Sequence, residues 1–310
     1  MSTIALLIPA WNAAAYLPRL LRSAQAQSVP FDQIWVYDDC STDNTADVAR
    51  EFGAQVMRGE VNKGCSAGKN ALAARVDCDW IHFHDADDEL LPNFVELAQR
   101  WIKSNPPDIV LFNYLYRDND TNELLMQRVF DHEALAADPI RYAIQEQINP
   151  FCGLYRREAY LRAGGYDVDP LILYNEDVAF HIKMAMHGLS FGAEQEVSLI
   201  NYRINGSMSG ANKLKCYQAH FEVMRRLVHQ PKAHAYLIDV ADKLWRVAGL
   251  LAAAGDWSNA RHSVQLARSI SMPNRTHGLI FRCLVGIHPV LAIYVREWLI
   301  LALKPSLRKM

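Results

Sequence analysis

The sequence predicts an α/β fold, a mostly parallel, doubly wound sheet flanked by helices, followed by a helical C-terminal region. Two observations predict it. Up to about residue 105, short apolar runs alternate with stretches of helical spacing, as strands joined by crossover helices do. From about residue 212 the strand signals stop and helical spacing alone continues. The expected organisation is therefore a domain of residues 1–211 and a helical region of 212–310.

The elements follow in order. Residues 4–8 are a continuous apolar run, the pattern of a strand covered on both faces, and Pro9 is expected to end it. Helical spacing over 16–26 runs through Leu17, Leu20, Leu21 and Ala24. A second strand over 34–37 is closed by Asp38 and Asp39, and Ser41, Thr42 and Asp43 can cap the helix that ends near Phe52. A short third strand covers 55–58, an Ala-rich helix 67–76, and a fourth strand 80–83 that runs straight into Asp85-Ala86-Asp87-Asp88. Beyond lie a strand over 109–116, a polar turn over 118–122, and a short helix over 156–163 that stops at Gly164-Gly165. A helix over 176–187 stops at Gly188, and a last strand spans 197–203. Helices over 213–229, 233–254 and 258–269 complete the pattern, with Gly255-Asp256 turning between the last two.

Composition narrows the function. The 310 residues are 51% hydrophobic and 21% charged, enough for a sizeable core and too apolar for general disorder. A formal charge of −2 argues against a nucleic-acid partner. The six cysteines, at 40, 65, 78, 152, 216 and 283, lack the short spacing of zinc or redox motifs and read as reduced thiols of a cytoplasmic protein. The first 18 residues carry no charge, but no Lys or Arg precedes their apolar run, so a strand is expected there rather than an export signal. There is no P-loop, no G-x-G-x-x-G after the first strand and no G-x-S-x-G elbow.

Three acidic clusters carry candidate chemistry. Asp85, Asp87 and Asp88 crowd one strand end, where a hard cation such as Mg²⁺ or Mn²⁺ would compensate them; a capped, solvated turn is the plainer account. Asp38 and Asp39 can accept hydrogen bonds from a base or ribose, or can cap a helix. Glu176 and Asp177 open a helix, as partners of its dipole or as a general base. His82 and His84 share a strand face; they read as metal ligands or, alternatively, as one packed histidine and one lining a nucleotide cleft.

Together these pieces resemble the inverting glycosyltransferases of family 2, which have the GT-A fold. Ile8-Pro9-Ala10-Trp11-Asn12 is similar to I-P-x-[YW]-N, and the run from Val36 to Thr45 is similar to V-V-D-D-G-S-T-D-G-T, with Tyr37 and Cys40 departing. Asn62-Lys63-Gly64 through Lys69-Asn70 resembles N-x-G…A-R-N, and Phe83-His84-Asp85-Ala86-Asp87-Asp88 resembles F-L-D-A-D-D. Gly164-Gly165-Tyr166-Asp167, Asn175-Glu176-Asp177 and the segment from Tyr202 to Ser209 complete the series, over about residues 2–211.

The resemblance implies roles. Pro9, Ala10 and Asn12 border a nucleotide, Asp39 bonds its base, and Asp85 lies near the ribose. Asp87 holds Mn²⁺ or Mg²⁺ on the diphosphate, and Lys69 replaces an arginine near the phosphates, without its planar fork. Asp177 is the base, with Glu176 as a substitute. The donor is then a nucleoside-diphosphate sugar, UDP-linked, giving one hexosyl or N-acetylhexosaminyl unit to a growing glycan or lipid-linked acceptor. No Q-x-x-R-W follows Asp177, so processive synthesis is not expected. A nucleotidyltransferase and a non-catalytic nucleotide-sugar or glycan binder are the alternatives.

Residues 271–310 hold Arg275, Arg282, Arg296, Lys304, Arg308 and Lys309 against Glu297, among apolar residues at helical spacing. Peripheral contact with the inner face of a membrane is one expectation; packing on the catalytic domain or on a second copy is the other.

Overall fold

The computed structural model describes residues 2–204, 206, 208–274 and 277–304. Asn205 and Ser207, within the segment from Tyr202 to Ser209, and Arg275, Arg308 and Lys309 lie outside the described residues. The chain forms two compact units. Met1–Ala143, Gln147–Val168 and Phe180–Ser207 make the first; Ile144–Glu146, Asp169–Ala179 and Met208–Met310 make the second.

The first unit is built on a nine-stranded sheet. Its strands are β1 (Ile4–Ala10), β2 (Gln33–Asp38), β3 (Gln55–Arg58), β4 (Trp80–Phe83), β5 (Glu89–Leu90), β6 (Ile109–Asp118), β7 (Leu124–Arg128), β8 (Gly153–Arg156) and β9 (Phe191–Arg203). Their order is β3-β2-β1-β4-β8-β6-β9-β5, and β7 pairs with β6. The half formed by β3, β2, β1 and β4 is parallel throughout, with the helices Leu17–Gln25, Thr45–Glu51 and Cys65–Arg75 as its crossovers. Every residue of β1 is buried, as its unbroken apolar run requires. All the carboxyl ends of these strands therefore share one rim.

β1 does not stop at Pro9. Leu7 presents its carbonyl to His84 on the β4 side, so two residues on Pro9 faces the same way. The last paired residue of β4 is Phe83, opposite Leu7, so the amide hydrogen that proline lacks has no ladder partner to serve. Pairing with β2 continues through Pro9 to Ala10.

The other half of the sheet was less legible. β8 runs antiparallel to both β4 and β6, although Arg156 reads as a helix start; the helix begins one residue later, as Arg157–Arg162. β9 begins at Phe191, not at 197, because its pairing with β6 is irregular around Asn113 and its middle carries Glu194, Gln195 and Glu196. The Asn113 side chain repairs that break, donating to the Gln195 carbonyl (2.9 Å) and accepting the Phe130 amide (2.9 Å).

One side-chain lock joins distant parts of this unit. Asn70, in the helix Cys65–Arg75, accepts the Tyr160 hydroxyl (2.6 Å) and the Tyr166 amide (2.9 Å) and donates to the Tyr166 carbonyl (2.8 Å). Tyr166 then stacks on Phe180 with ring centres 3.9 Å apart. Gly165 sits between them at φ +55°, and a Cβ there would clash with the Asn70 side-chain oxygen.

The second unit is helical. Lys213–Val228 and Trp257–Ile270 match the expected spans to within a residue, whereas the middle α-helix is Leu237–Ala253 and not 233–254, because Pro231–Tyr236 forms a 3-10 helix. Val240, Leu244, Val247 and Leu251 meet Ala260, Val264 and Ala267 in the core. Gly255 turns at φ +83°, and Asp256 caps the next helix by accepting the Asn259 amide (3.0 Å). Pro289 splits the last segment into Leu279–Ile287 and Pro289–Leu303, with His288 accepting the Leu291 amide between them. No helix among the described residues is long and apolar enough to cross a membrane.

Gly165→Ala should lower stability by about 2 kcal/mol or more, because it combines a steric clash with a left-handed backbone. Asn70→Ala should cost about 1–3 kcal/mol, since it leaves buried polar partners unpaired. Urea denaturation of both variants measures the loss; wild-type midpoints would remove the lock.

Candidate functional site

The site residues of the first unit stand on the loops that leave the parallel strands. Pro9 and Ala10 end β1, and Asn12 follows at φ +49°. Asn12 ties this loop to the next: its amide donates to Ser41 Oγ (2.9 Å), and its side-chain oxygen accepts the Thr42 amide (2.9 Å). The Ala13 amide donates to Thr45 Oγ1 (2.8 Å), completing the lacing between the β1 and β2 exits. Trp11 is left 58% exposed beside them.

Asp38 and Asp39 are both buried at the end of β2. Asp38 accepts the Ser41 amide (2.9 Å) and faces Arg58 at 3.2 Å. Asp39 accepts the amides of Lys63 (2.9 Å) and Gly64 (2.7 Å), one on each oxygen, and so anchors the loop that opens the helix Cys65–Arg75. Lys69, on that helix, is buried with its ammonium 5.1 Å above the Tyr166 ring.

The cluster after β4 divides by role. Asp88 is fully buried and accepts the Asn201 side chain and the Tyr202 amide, both at 2.8 Å. Asp85 and Asp87 are half-buried, and no other described residue donates a hydrogen bond to either carboxylate. Burial, then the charge of Asp85, pushes the Asp87 carboxyl up to about 6. The nearby cation is Arg19, whose guanidinium donates to the Asp87 carbonyl and lies 3.7 Å over the Tyr202 ring. In the sequence Arg19 is marked by one signal alone, that it is the first charge in the chain.

The donor set suits a hard divalent ion. No group of three or more His, Cys, Asp or Glu among the described residues is arranged to hold a metal. Two carboxylates that accept no hydrogen bond from another described residue nonetheless fit Mg²⁺ or Mn²⁺, which take one or two carboxylates and leave other positions to phosphate oxygens. The histidines do not belong to this set. His82 bonds the Gly153 carbonyl (2.9 Å) and His84 (3.0 Å), and both rings are fully buried against Phe94 and Phe151. Burial pushes His82 down to about 3 and His84 well below its usual range, so both are neutral. The expectation that one lines a cleft is corrected: the aromatic packing encloses them.

Glu176 and Asp177 belong to the second unit, where they begin the helix Glu176–Met186. Asp177 accepts the Val178 amide (2.9 Å), and Asn175 donates to the Cys216 carbonyl (3.4 Å).

Comparisons with known proteins agree on the class. The model of the family Glycosyl transferase family 2 matches residues 5–162, more than half of the chain. The chain belongs to that family. An uncharacterized glycosyltransferase of Haemophilus influenzae is 25% identical over 65% of this chain and 65% of its own length. Glycosyltransferase GlyA of Streptococcus pneumoniae is 29% identical over 36% of this chain, a match spanning 16% of GlyA. Among solved structures, S. aureus TarS 1-349 in complex with UDP-GlcNAc is 15% identical with a TM-score of 0.69, covering 94% of this chain and 89% of that one. The mannosyltransferase PcManGT of Pyrobaculum calidifontis, in complex with GDP-Man and Mn²⁺, is 16% identical with a TM-score of 0.63, covering 98% and 81%. The fold is thus the GT-A fold, with a helical C-terminal region.

Cys40 stands where the family pattern carries glycine, and its φ is +60°. A side chain in that left-handed region costs about 1–2 kcal/mol, partly offset by the greater freedom of glycine in the unfolded chain. Cys40→Gly should therefore stabilise the protein by about 0.5–1 kcal/mol. A melting temperature at or below wild type would contradict this.

Proposed function

We propose that the protein is an inverting glycosyltransferase that moves one sugar from a UDP-linked donor to a hydroxyl of a growing glycan or lipid-linked acceptor. Residues 1–211 are the catalytic domain in this reading, and 212–310 a helical region. The observation that carries it is the contrast among strand-end carboxylates. Asp38, Asp39 and Asp88 are matched by protein donors, whereas no other residue among those described donates to the carboxylate of Asp85 or Asp87. TarS was solved with UDP-GlcNAc and PcManGT with GDP-Man and Mn²⁺, which supports a nucleotide-sugar and a divalent ion here.

The residues divide the work. Pro9, Ala10 and Asn12 wall the nucleotide, Asp39 reaches its base with the lone pairs its loop leaves open, and Asp85 lies by the ribose. Asp87 holds Mn²⁺ or Mg²⁺, which neutralises the charge developing on the departing diphosphate. Lys69 adds a second positive charge near the phosphates. Asp177 accepts the proton of the attacking hydroxyl, with Glu176 as the lesser candidate.

Titration calorimetry should show UDP binding that needs Mn²⁺ and is lost in Asp87→Ala. Asp177→Asn should cut transfer by roughly 100- to 10,000-fold with UDP binding unchanged. Metal-independent UDP binding in Asp87→Ala, or near-normal transfer by Asp177→Asn, removes the corresponding role.

The acceptor reading includes a membrane surface. In the last two helices Phe281, Val285, Ala292 and Ile293 are buried, while Ile287 is 79% and Trp298 67% exposed. The residues from 271 to 310 carry six basic side chains against Glu297, which complements an anionic bilayer. Ile287→Glu/Trp298→Glu should reduce sedimentation with anionic liposomes several-fold, and equal partitioning of variant and wild type would exclude this contact.

A further inference from the structure

The second unit carries a cleft that the reading above does not use. A cavity of about 550 Å³ opens between the segment before Asn175 and the helices Lys213–Val228 and Trp257–Ile270. That volume lies within the usual range for small-molecule sites. Its apolar lining comes from Pro170, Leu171, Tyr174 and Phe221, and Leu171 is 62% exposed. Tyr174 offers a half-exposed ring to whatever enters.

The polar lining is made of planar hydrogen-bonding groups. Gln218 and Asn259 are held by a shared partner, donating to the same Asp256 oxygen at 2.7 and 2.8 Å, which leaves their side-chain oxygens as fixed acceptors. Glu222 is gripped by Arg225 through two bonds (2.7 and 2.8 Å) and by Arg226 (2.7 Å), so its charge is spent inside the protein. Lys215 differs. Its ammonium lies 3.4 Å from the Tyr174 hydroxyl and 5.2 Å above that ring, and it makes no ion pair among the described residues. An aromatic face beside fixed amides and carboxylate–guanidinium pairs suits a sugar ring, and an uncompensated lysine at its edge adds a preference for negative charge.

The cleft also borders the proposed base. Asn175, one residue before Glu176, donates to the Cys216 carbonyl, and Cys216 adjoins Lys215. Burial, then the charges of Asp177 and Glu176, raises the Cys216 thiol, so that helix lies within the field of both acids.

We infer that this cleft is a saccharide subsite for the acceptor, selective for an acidic sugar whose carboxylate or phosphate pairs with Lys215 while its ring packs on Tyr174. The word acceptor rests on the glycosyltransferase reading; the binding chemistry does not. Calorimetry on the full chain tests it with glucuronosyl-β-1,3-N-acetylgalactosamine beside its uronate methyl ester, and glucose 6-phosphate beside glucose. At least one acid should bind about tenfold more tightly than its neutral counterpart, the size expected of a charge-assisted hydrogen bond. Whichever acid does so names the source of the charge. Lys215→Met should erase the difference, Lys215→Arg should keep most of it, and Tyr174→Ala should weaken the acid and its neutral form alike. Equal affinity for acids and neutral forms, binding of neither acid, or a preference surviving Lys215→Met overturns the assignment. UDP titrated into the same preparations separates the two readings. Normal UDP binding without saccharide binding refutes the cleft alone, and saccharide binding without UDP binding refutes the donor site alone.

Discussion

Parallel strands deliver their carboxyl ends to one rim, and in this protein that rim collects five carboxylates from the exits of β2 and β4. Such crowding is costly unless each charge is met by a donor. The fold meets three of them with backbone. Asp38 takes the Ser41 amide, Asp39 the amides of Lys63 and Gly64, and Asp88 that of Tyr202. Each bond also bends a loop into place, so the same charges that must be compensated organise the loops around the two that are not. Asp85 and Asp87 are left over, and in the proposed function a bound divalent cation would complete the compensation.

The rigidity of this rim has a backbone component. Asn12 and Cys40 both adopt positive φ, and they lie on the two loops that Ser41 and Thr42 stitch together. Asparagine tolerates that conformation better than most residues, and here its side-chain oxygen also accepts the Thr42 amide of the neighbouring loop. Cysteine has no such compensation, and its sulfur reaches only the Glu60 carbonyl at 3.4 Å. The turn is therefore imposed by the surrounding bonds, at a local cost that the site's geometry requires.

Much of this was legible in the sequence, for a physical reason. β1, β4 and the last four residues of β2 are buried, so their apolar runs, and the acids that follow β2 and β4, stand out without tertiary information. The rest depended on partners far along the chain. Pro9 reads as a strand end because the sequence cannot show that β4 has already stopped beside it. β9 hides Glu194 to Glu196 within a strand, and Asn113 makes that irregularity tolerable from another strand altogether. Arg19 was invisible as a site residue because its role comes from the Asp87 carbonyl and the Tyr202 ring, 68 residues away in the first case. The histidine pair misled in the opposite sense: spacing placed both on one face, but only packing reveals that the face is interior.

The motifs that carry the family resemblance are joined to one another in space. Asn12 binds the first to the second through Ser41 and Thr42, and Asp39 binds the second to the third through Lys63 and Gly64. Asn70 then binds the third to Gly164-Gly165-Tyr166, while Asp88 binds the fourth to Tyr202 in the closing segment. In each pair one partner is a backbone amide, which any residue but proline supplies, and the other is an Asn or Asp side chain of fixed length, or a short hydroxyl. This asymmetry ties each junction to a short polar side chain at a set position and asks only a backbone amide of its partner. Tyr37 departs from the family pattern at no such position, and its side chain packs against the Gly68 backbone instead. Lys69 departs as well, and the adjacent Asn70 still makes the bonds to Tyr160 and Tyr166 that join the third motif to the fifth.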